Sequence, residues 1–193
     1  MLWCCVENGR LQSLTVATGE TVDALRGYRE VWVSPYGRTV AMGTRSRGCQ
    51  IFGMKDFRVP PASWAVLDVA FSPELMCITE ARGPVRCFDL AKGKELWRYL
   101  PPSETHVTTL SYSEATQCFH GVLIGTLPNR LIRFDRLGAV QMITGLTCWM
   151  GVFLDHGSRF LTVEGNEIDV QSGLISGCLP FKPSREEEHD GMR

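Results

Sequence analysis

A short motif recurs roughly five times along this chain, and a repeat constrains a fold more tightly than any single segment does. Each copy is a strand-like run that closes on an apolar residue followed by Asp or Thr, then a tight turn built on Gly. The clearest is Val85-Arg86-Cys87-Phe88-Asp89-Leu90-Ala91-Lys92-Gly93-Lys94-Glu95-Leu96. Leu11-Gln12-Ser13-Leu14-Thr15-Val16-Ala17-Thr18-Gly19-Glu20 matches it without a gap, as does Ile168-Asp169-Val170-Gln171-Ser172-Gly173. Leu131-Ile132-Arg133-Phe134-Asp135-Arg136-Leu137-Gly138 matches with one residue fewer in the turn, and the weakest copy is Gln50-Ile51-Phe52-Gly53-Met54-Lys55-Asp56.

A second landmark keeps the same period. Val31-Trp32-Val33-Ser34-Pro35 resembles Val69-Ala70-Phe71-Ser72-Pro73, then Leu110-Ser111-Tyr112-Ser113-Glu114 and Val152-Phe153-Leu154-Asp155. Ser34, Ser72, Ser113 and Leu154 are separated by 38, 41 and 41 residues, while Leu14, Phe52, Phe88, Phe134 and Ile168 step by 38, 36, 46 and 34. A period near 40 suits propeller blades. The stretch VAFSPELMCITEARGPVRCFDLAKGKEL, residues 69–96, resembles a WD40 blade, with Phe88-Asp89, Phe134-Asp135 and Ile168-Asp169 where that family often has Trp-Asp. No copy holds Trp-Asp itself, and the early Gly-His pair of that family is missing. FDLAKGKELWRY, residues 88–99, is equally similar to the repeat of quinoprotein-like propellers, whose Gly-Lys turn leads into Leu-Trp. This second resemblance implies that Trp97 packs between neighbouring blades.

The resemblance spans residues 1–181 and implies an all-β fold, a WD40-like β-propeller or partial propeller. Residues 2–7 and 10–16 read as a hairpin joined at Asn8-Gly9, a strong tight-turn signal. Four blades are then expected from residues 21–53, 64–90, 96–135 and 140–170, with Glu164-Gly165-Asn166 as an inner turn and residues 58–63 as a connector. The run from Leu174 to Phe181 is expected to join the N-terminal hairpin in a shared three-stranded closing blade. The array then either closes as five blades or stays an open arc whose edge invites self-association. Residues 182–193, with Glu186-Glu187-Glu188-His189-Asp190, read as a disordered acidic tail.

Eight cysteines, Cys4, Cys5, Cys49, Cys77, Cys87, Cys118, Cys148 and Cys178, sit mostly in apolar runs and show no Cys-x-x-Cys spacing. With no secretory signal at the N-terminus, they read as reduced, buried thiols of a cytoplasmic protein. A net charge of -1 removes any global attraction to nucleic acid or anionic membrane. The longest uncharged stretch, residues 137–154, contains Gly, Gln and Thr and breaks into strand-length pieces, so no membrane span is expected.

Catalytic signatures are not evident in the sequence. No Gly-x-Ser-x-Gly elbow, phosphate-cradling loop or His-Glu-x-x-His helix occurs, and His106, His120, His156 and His189 fall at unrelated repeat positions. Asp89, Asp135 and Asp169, with Gly19, Gly93, Gly138 and Gly173, recur in register and therefore read as braces of the turns, because a structural demand recurs in every blade. Trp3, Trp32, Trp64 and Trp149 do not share the repeat position of Trp97 and read as core aromatics. Arg45, Arg47, Arg82, Arg130 and Arg133 fall near inner turns and are expected to line one rim. The expectation is a non-enzymatic scaffold, without cofactor or metal, that presents blade loops to a protein partner; the alternative is a quinoprotein-like ligand-binding or enzymatic propeller.

Overall fold

The computed structural model describes residues 2–6, 10–14, 21–26, 30–36, 39–44, 48–53, 56–60, 65–125, 128–146 and 151–179. They form nineteen strands of three to eight residues and, among the described residues, no helix. Short apolar runs interrupted by Gly, Pro and charge allow nothing longer. The acidic tail, Gly19, Trp64, Trp149, Cys148, Arg45 and Arg47 lie outside the described residues.

The strands make five antiparallel sheets. The first holds β1 (Leu2–Val6), β2 (Arg10–Leu14) and β3 (Thr21–Arg26). The second holds β4 (Glu30–Val33), β5 (Val40–Thr44), β6 (Gly48–Phe52) and β7 (Phe57–Val59). The third runs β8 (Val66–Phe71), β9 (Leu75–Glu80), β10 (Val85–Asp89) and β11 (Lys94–Tyr99). The fourth runs β12 (His106–Ser113), β13 (Cys118–Ile124), β14 (Asn129–Phe134) and β15 (Val140–Leu146). The fifth runs β16 (Gly151–Leu154), β17 (Arg159–Thr162), β18 (Asn166–Asp169) and β19 (Ile175–Cys178).

Both sequence landmarks hold constant places in this array. Ser34, Ser72, Ser113 and Leu154 end or directly follow the first strand of each four-stranded sheet, and Phe52, Phe88, Phe134 and Ile168 lie in the third strand. The serines cap the turn between first and second strands. The Ser72 hydroxyl accepts the Leu75 N–H at 2.9 Å, and the Ser34 hydroxyl accepts the Tyr36 N–H at 3.2 Å. By the same frame, Leu14 places β2 third and makes β1–β3 the equivalent of second, third and fourth strands.

The sheet boundaries differ from the sequence reading in one systematic way. The strand after each Gly turn pairs back onto the strand before it, so β11 belongs with β10 and β15 with β14. A turn as short as Asp89 to Lys94 joins only antiparallel neighbours. β7, expected as connector, pairs with β6 for the same reason. The shared closing blade is likewise corrected. β19 is the fourth strand of the fifth sheet, paired with β18, and the third strand of the N-terminal sheet is β3, paired with β2.

The core lies between successive sheets. Ala41, Cys49 and Ile51 of the second meet Met76, Ile78 and Phe88 of the third. Cys77, Val85 and Cys87 on the opposite face of the third meet Phe119, Ile132 and Phe134 of the fourth. Val122 and Leu131 meet Phe160, Ile168 and Val170 of the fifth. Each fully buried aliphatic or aromatic side chain contributes about 1.5–3 kcal/mol. The first strands lie side by side, β4 by β8, β8 by β12 and β12 by β16, and form the inner edge of the array. Cys49, Cys77 and Cys87 are buried free thiols, and burial pushes that of Cys77 well above its ordinary pKa. Cys118 is half-buried and Cys178 exposed, so the expectation of burial fails at those two.

Candidate functional site

Antiparallel order puts the turns between first and second and between third and fourth strands on one rim. The remaining turns and the sheet-to-sheet connections lie on the opposite rim. The first rim carries the recurrent Asp and Gly residues. Asp89 Oδ1 accepts the Lys92 N–H at 2.9 Å, Asp135 Oδ1 accepts those of Leu137 and Ala139 at 2.8 Å, and Asp169 Oδ1 accepts that of Ser172 at 2.7 Å. These bonds favour the ionised form, so Asp89, through the Lys92 N–H, and Asp169, through the Ser172 hydroxyl, titrate below the ordinary carboxylate range.

The turn glycines have a role that their spacing does not disclose. Gly138, at φ +85°, would place a Cβ 2.7 Å from the Trp97 ring, and Gly173, at φ +73°, would place one 2.9 Å from Ile143. Gly93 stands in the same relation to Phe57. Each turn is thus a notch that receives a large fourth-strand side chain of the preceding sheet. Trp97 fits the fourth sheet most fully, stacking on Phe134 at 5.7 Å and donating Nε1–H to the Arg136 carbonyl at 3.1 Å.

The opposite rim holds a cavity of about 840 Å³ beside the third sheet. Its walls are Arg82–Pro84 in the turn before β10, the end of β11 and the residues that lead into β12. Arg82, Arg98 and His106 supply cationic or neutral nitrogen groups, and Leu100, Pro101 and Pro102 an apolar wall. Leu100 is 71% exposed. Arg98 is held by Glu95 at 2.9 Å, whereas Arg82 projects from a residue at φ +53°. Glu104, also lining the cavity, sits at φ +64°. Left-handed backbone at non-Gly residues is uncommon, and two such residues flank one cavity. Burial and then the Arg82 charge hold His106 below its ordinary pKa. Arg130 begins β14 on the same rim, but Arg133 does not belong there, being midway along β14 and bonded to Gln141.

Three polar features were not visible from spacing. Asp68 on β8 joins the inner strands: its Oδ2 accepts the Leu110 N–H at 2.7 Å, its Oδ1 accepts its neighbour Val69 N–H at 2.8 Å, and the Trp32 side chain also bonds it. Burial raises its pKa despite those bonds, and Glu30 adds to the rise. Thr109, beside this contact, has φ +55° within a bulge of β12. Arg86 is 5% exposed and reaches Glu95 at 2.7 Å, Glu80 at 3.5 Å and the Pro60 carbonyl at 2.8 Å, tying the second sheet to the third. His120 is fully buried on β13, and neither ring nitrogen has a hydrogen-bond partner among the described residues. Burial, followed by the nearby Arg133 charge, lowers its pKa to about 4. Its repeat position is that of Cys77, so the sequence signal was a histidine where another copy has a small apolar residue. His156 lies exposed in a turn.

Among the described residues no group of three His, Cys, Asp or Glu side chains is placed to hold a metal ion, and no helix is long and apolar enough to cross a membrane. No protein-family model and no curated protein matches the chain. Among solved structures it is similar to dihydro-heme d1 dehydrogenase NirN in complex with DHE, with a TM-score of 0.73 at 13% identity. The match covers 93% of this chain but only 43% of that one, so the chain spans less than half the length of its structural neighbour. NirN is a β-propeller, and at this identity the likeness shows a fold of β-propeller type.

Proposed function

We propose that the chain is a non-enzymatic binding module: a WD40-like partial propeller, an open arc of blades, that presents its connector rim to a protein partner in the cytoplasm. The observation that carries this reading is the cavity beside the third sheet, which combines an exposed Leu100 against Pro101 and Pro102 with the Arg82 guanidinium. Exposed apolar surface rimmed by charge suits a peptide segment, with the aliphatic and proline wall as anchor and Arg82 setting orientation. The turn Asp and Gly residues brace the opposite rim and take no part in binding. Leu100→Glu combined with Arg82→Glu tests this: affinity for a co-purifying partner falls at least tenfold while the melting temperature holds. Unchanged affinity in that variant refutes the assignment.

A second reading is favoured by Asp68. A carboxylate raised in pKa by burial, half-buried on the inner edge and next to Thr109 at φ +55°, is the kind of perturbed group that marks a candidate site for a polar ligand. NirN was solved with DHE, so titration with a tetrapyrrole is the direct probe. Saturable absorbance change that Asp68→Asn removes, with the fold intact, favours this second class over the first.

A further inference from the structure

The row of side chains that each sheet turns toward the next is buried in the third and fourth sheets and open in the fifth. In the third it runs through Ala70, paired with Cys77, and on to Thr79, all at most 6% exposed. In the fourth, Ser111 paired with His120, then Val122, take the same register positions, and the last two are buried. In the fifth, Val152 pairs with Leu161 and is followed by Val163, and both valines are 51% exposed. The charged neighbours on this face, Arg159 and Glu167, pair with each other at 2.6 Å, so covering it strands no charge.

What covers such a row elsewhere in the molecule is always the same element. It is the following sheet, which applies a large cross-strand pair: Met76 with Phe88, Phe119 with Phe134, then Phe160 with Ile168. In the first sheet those two register positions are Leu2 and the Leu14 opposite it. The chain's own first sheet does not cover the fifth, because Val152 and Val163 remain open.

We infer that the chain associates head to tail with a second copy of itself, the β1–β3 sheet of one copy stacking on the β16–β19 sheet of its neighbour. The contact joins two sheet faces and does not require pairing of strand edges. It is heterologous, using different surfaces on the two copies, so it closes into a ring or runs on as an open assembly. It is independent of the connector rim, and the Leu100→Glu, Arg82→Glu variant associates as the wild type does.

Light scattering on size-exclusion fractions tests the inference. The wild-type mass rises with loading across the micromolar range. Val152→Arg, on an exposed position, stays monomeric, and so does Leu14→Arg. A mixture of the two variants gives a complex of two chains and nothing larger, because one competent face of each kind remains. A wild type that stays monomeric, a Val152→Arg variant that associates normally, or a mixture of folded variants that stays monomeric overturns the inference. Should Leu14→Arg fail to fold, Val152→Arg against the wild type decides alone.

Discussion

His120 gives the sharpest prediction about stability, because burial and hydrogen-bond satisfaction disagree there. The ring is fully buried between the fourth and fifth sheets, 6.2 Å from Phe153, with neither nitrogen partnered among the described residues. Its pKa falls from 6.5 to about 4, chiefly through desolvation. The unfolded chain therefore takes up the proton first. Stability is full above the unfolded value near 6.5 and is lost as pH falls from there toward 4. At 1.36 kcal/mol per unit the loss is about 3 kcal/mol. His120→Leu puts at this position the residue that the fifth sheet carries as Leu161, and it removes two desolvated polar atoms. The variant is expected to be more stable at neutral pH by about 1–3 kcal/mol. Its advantage over the wild type widens as the pH drops through the window from 6.5 to 4. Urea unfolding followed by tryptophan fluorescence at each end of that window measures both terms. A His120→Leu variant that is less stable than the wild type at neutral pH, with the acid loss unchanged, refutes the reasoning.

Other outcomes follow from the packing. Gly138→Ala forces a Cβ against Trp97 at positive φ and is expected to cost about 2–4 kcal/mol by thermal or urea melts. Arg86→Met removes the buried guanidinium that Glu80 and Glu95 share, leaving Glu95 its exposed partner Arg98, and costs about 3 kcal/mol, read the same way. Because the Asp169 pKa is lowered, its stabilisation is present at neutral pH and lost as pH falls through the carboxylate range. Asp169→Ala therefore melts lower than the wild type at neutral pH and equally at about pH 2. Of the five cysteines whose burial is described, Cys178 is expected to be alkylated first under mild conditions and Cys118 slowly, while Cys49, Cys77 and Cys87 react only on unfolding, as mass spectrometry of digested protein reports.

The architecture was legible because the physical demand repeats. Three of the first-to-second turns are capped by a serine, so Ser34, Ser72 and Ser113 recur, with Leu154 in that place in the fifth sheet; the third-to-fourth turns of the third, fourth and fifth sheets need a brace and an open notch, so Asp and Gly recur. The membership of the fourth strands was less legible, since β7, β11, β15 and β19 share no residue pattern, only a short connection to the strand before. That connection was the available signal, and it would also have placed β3. The rim was half legible. Arg82 and Arg130 were expected there, but Leu100 and His106 reach the cavity through a connection whose course the sequence leaves open. Asp68, Arg86 and His120 were not legible as sites, because their significance lies in contacts made between sheets.

The claim that most needs testing is that binding belongs to the connector rim. Arg82→Glu with Leu100→Glu on that rim, and Leu137→Glu with Leu96→Glu on the opposite rim, add negative charge at exposed residues of one rim at a time. Comparing the affinity of each folded variant for the same partner tests the claim directly. With binding on the connector rim, the first pair loses the partner and the second keeps it. Retention by the first pair with loss by the second would place the interaction on the turn rim and contradict the account.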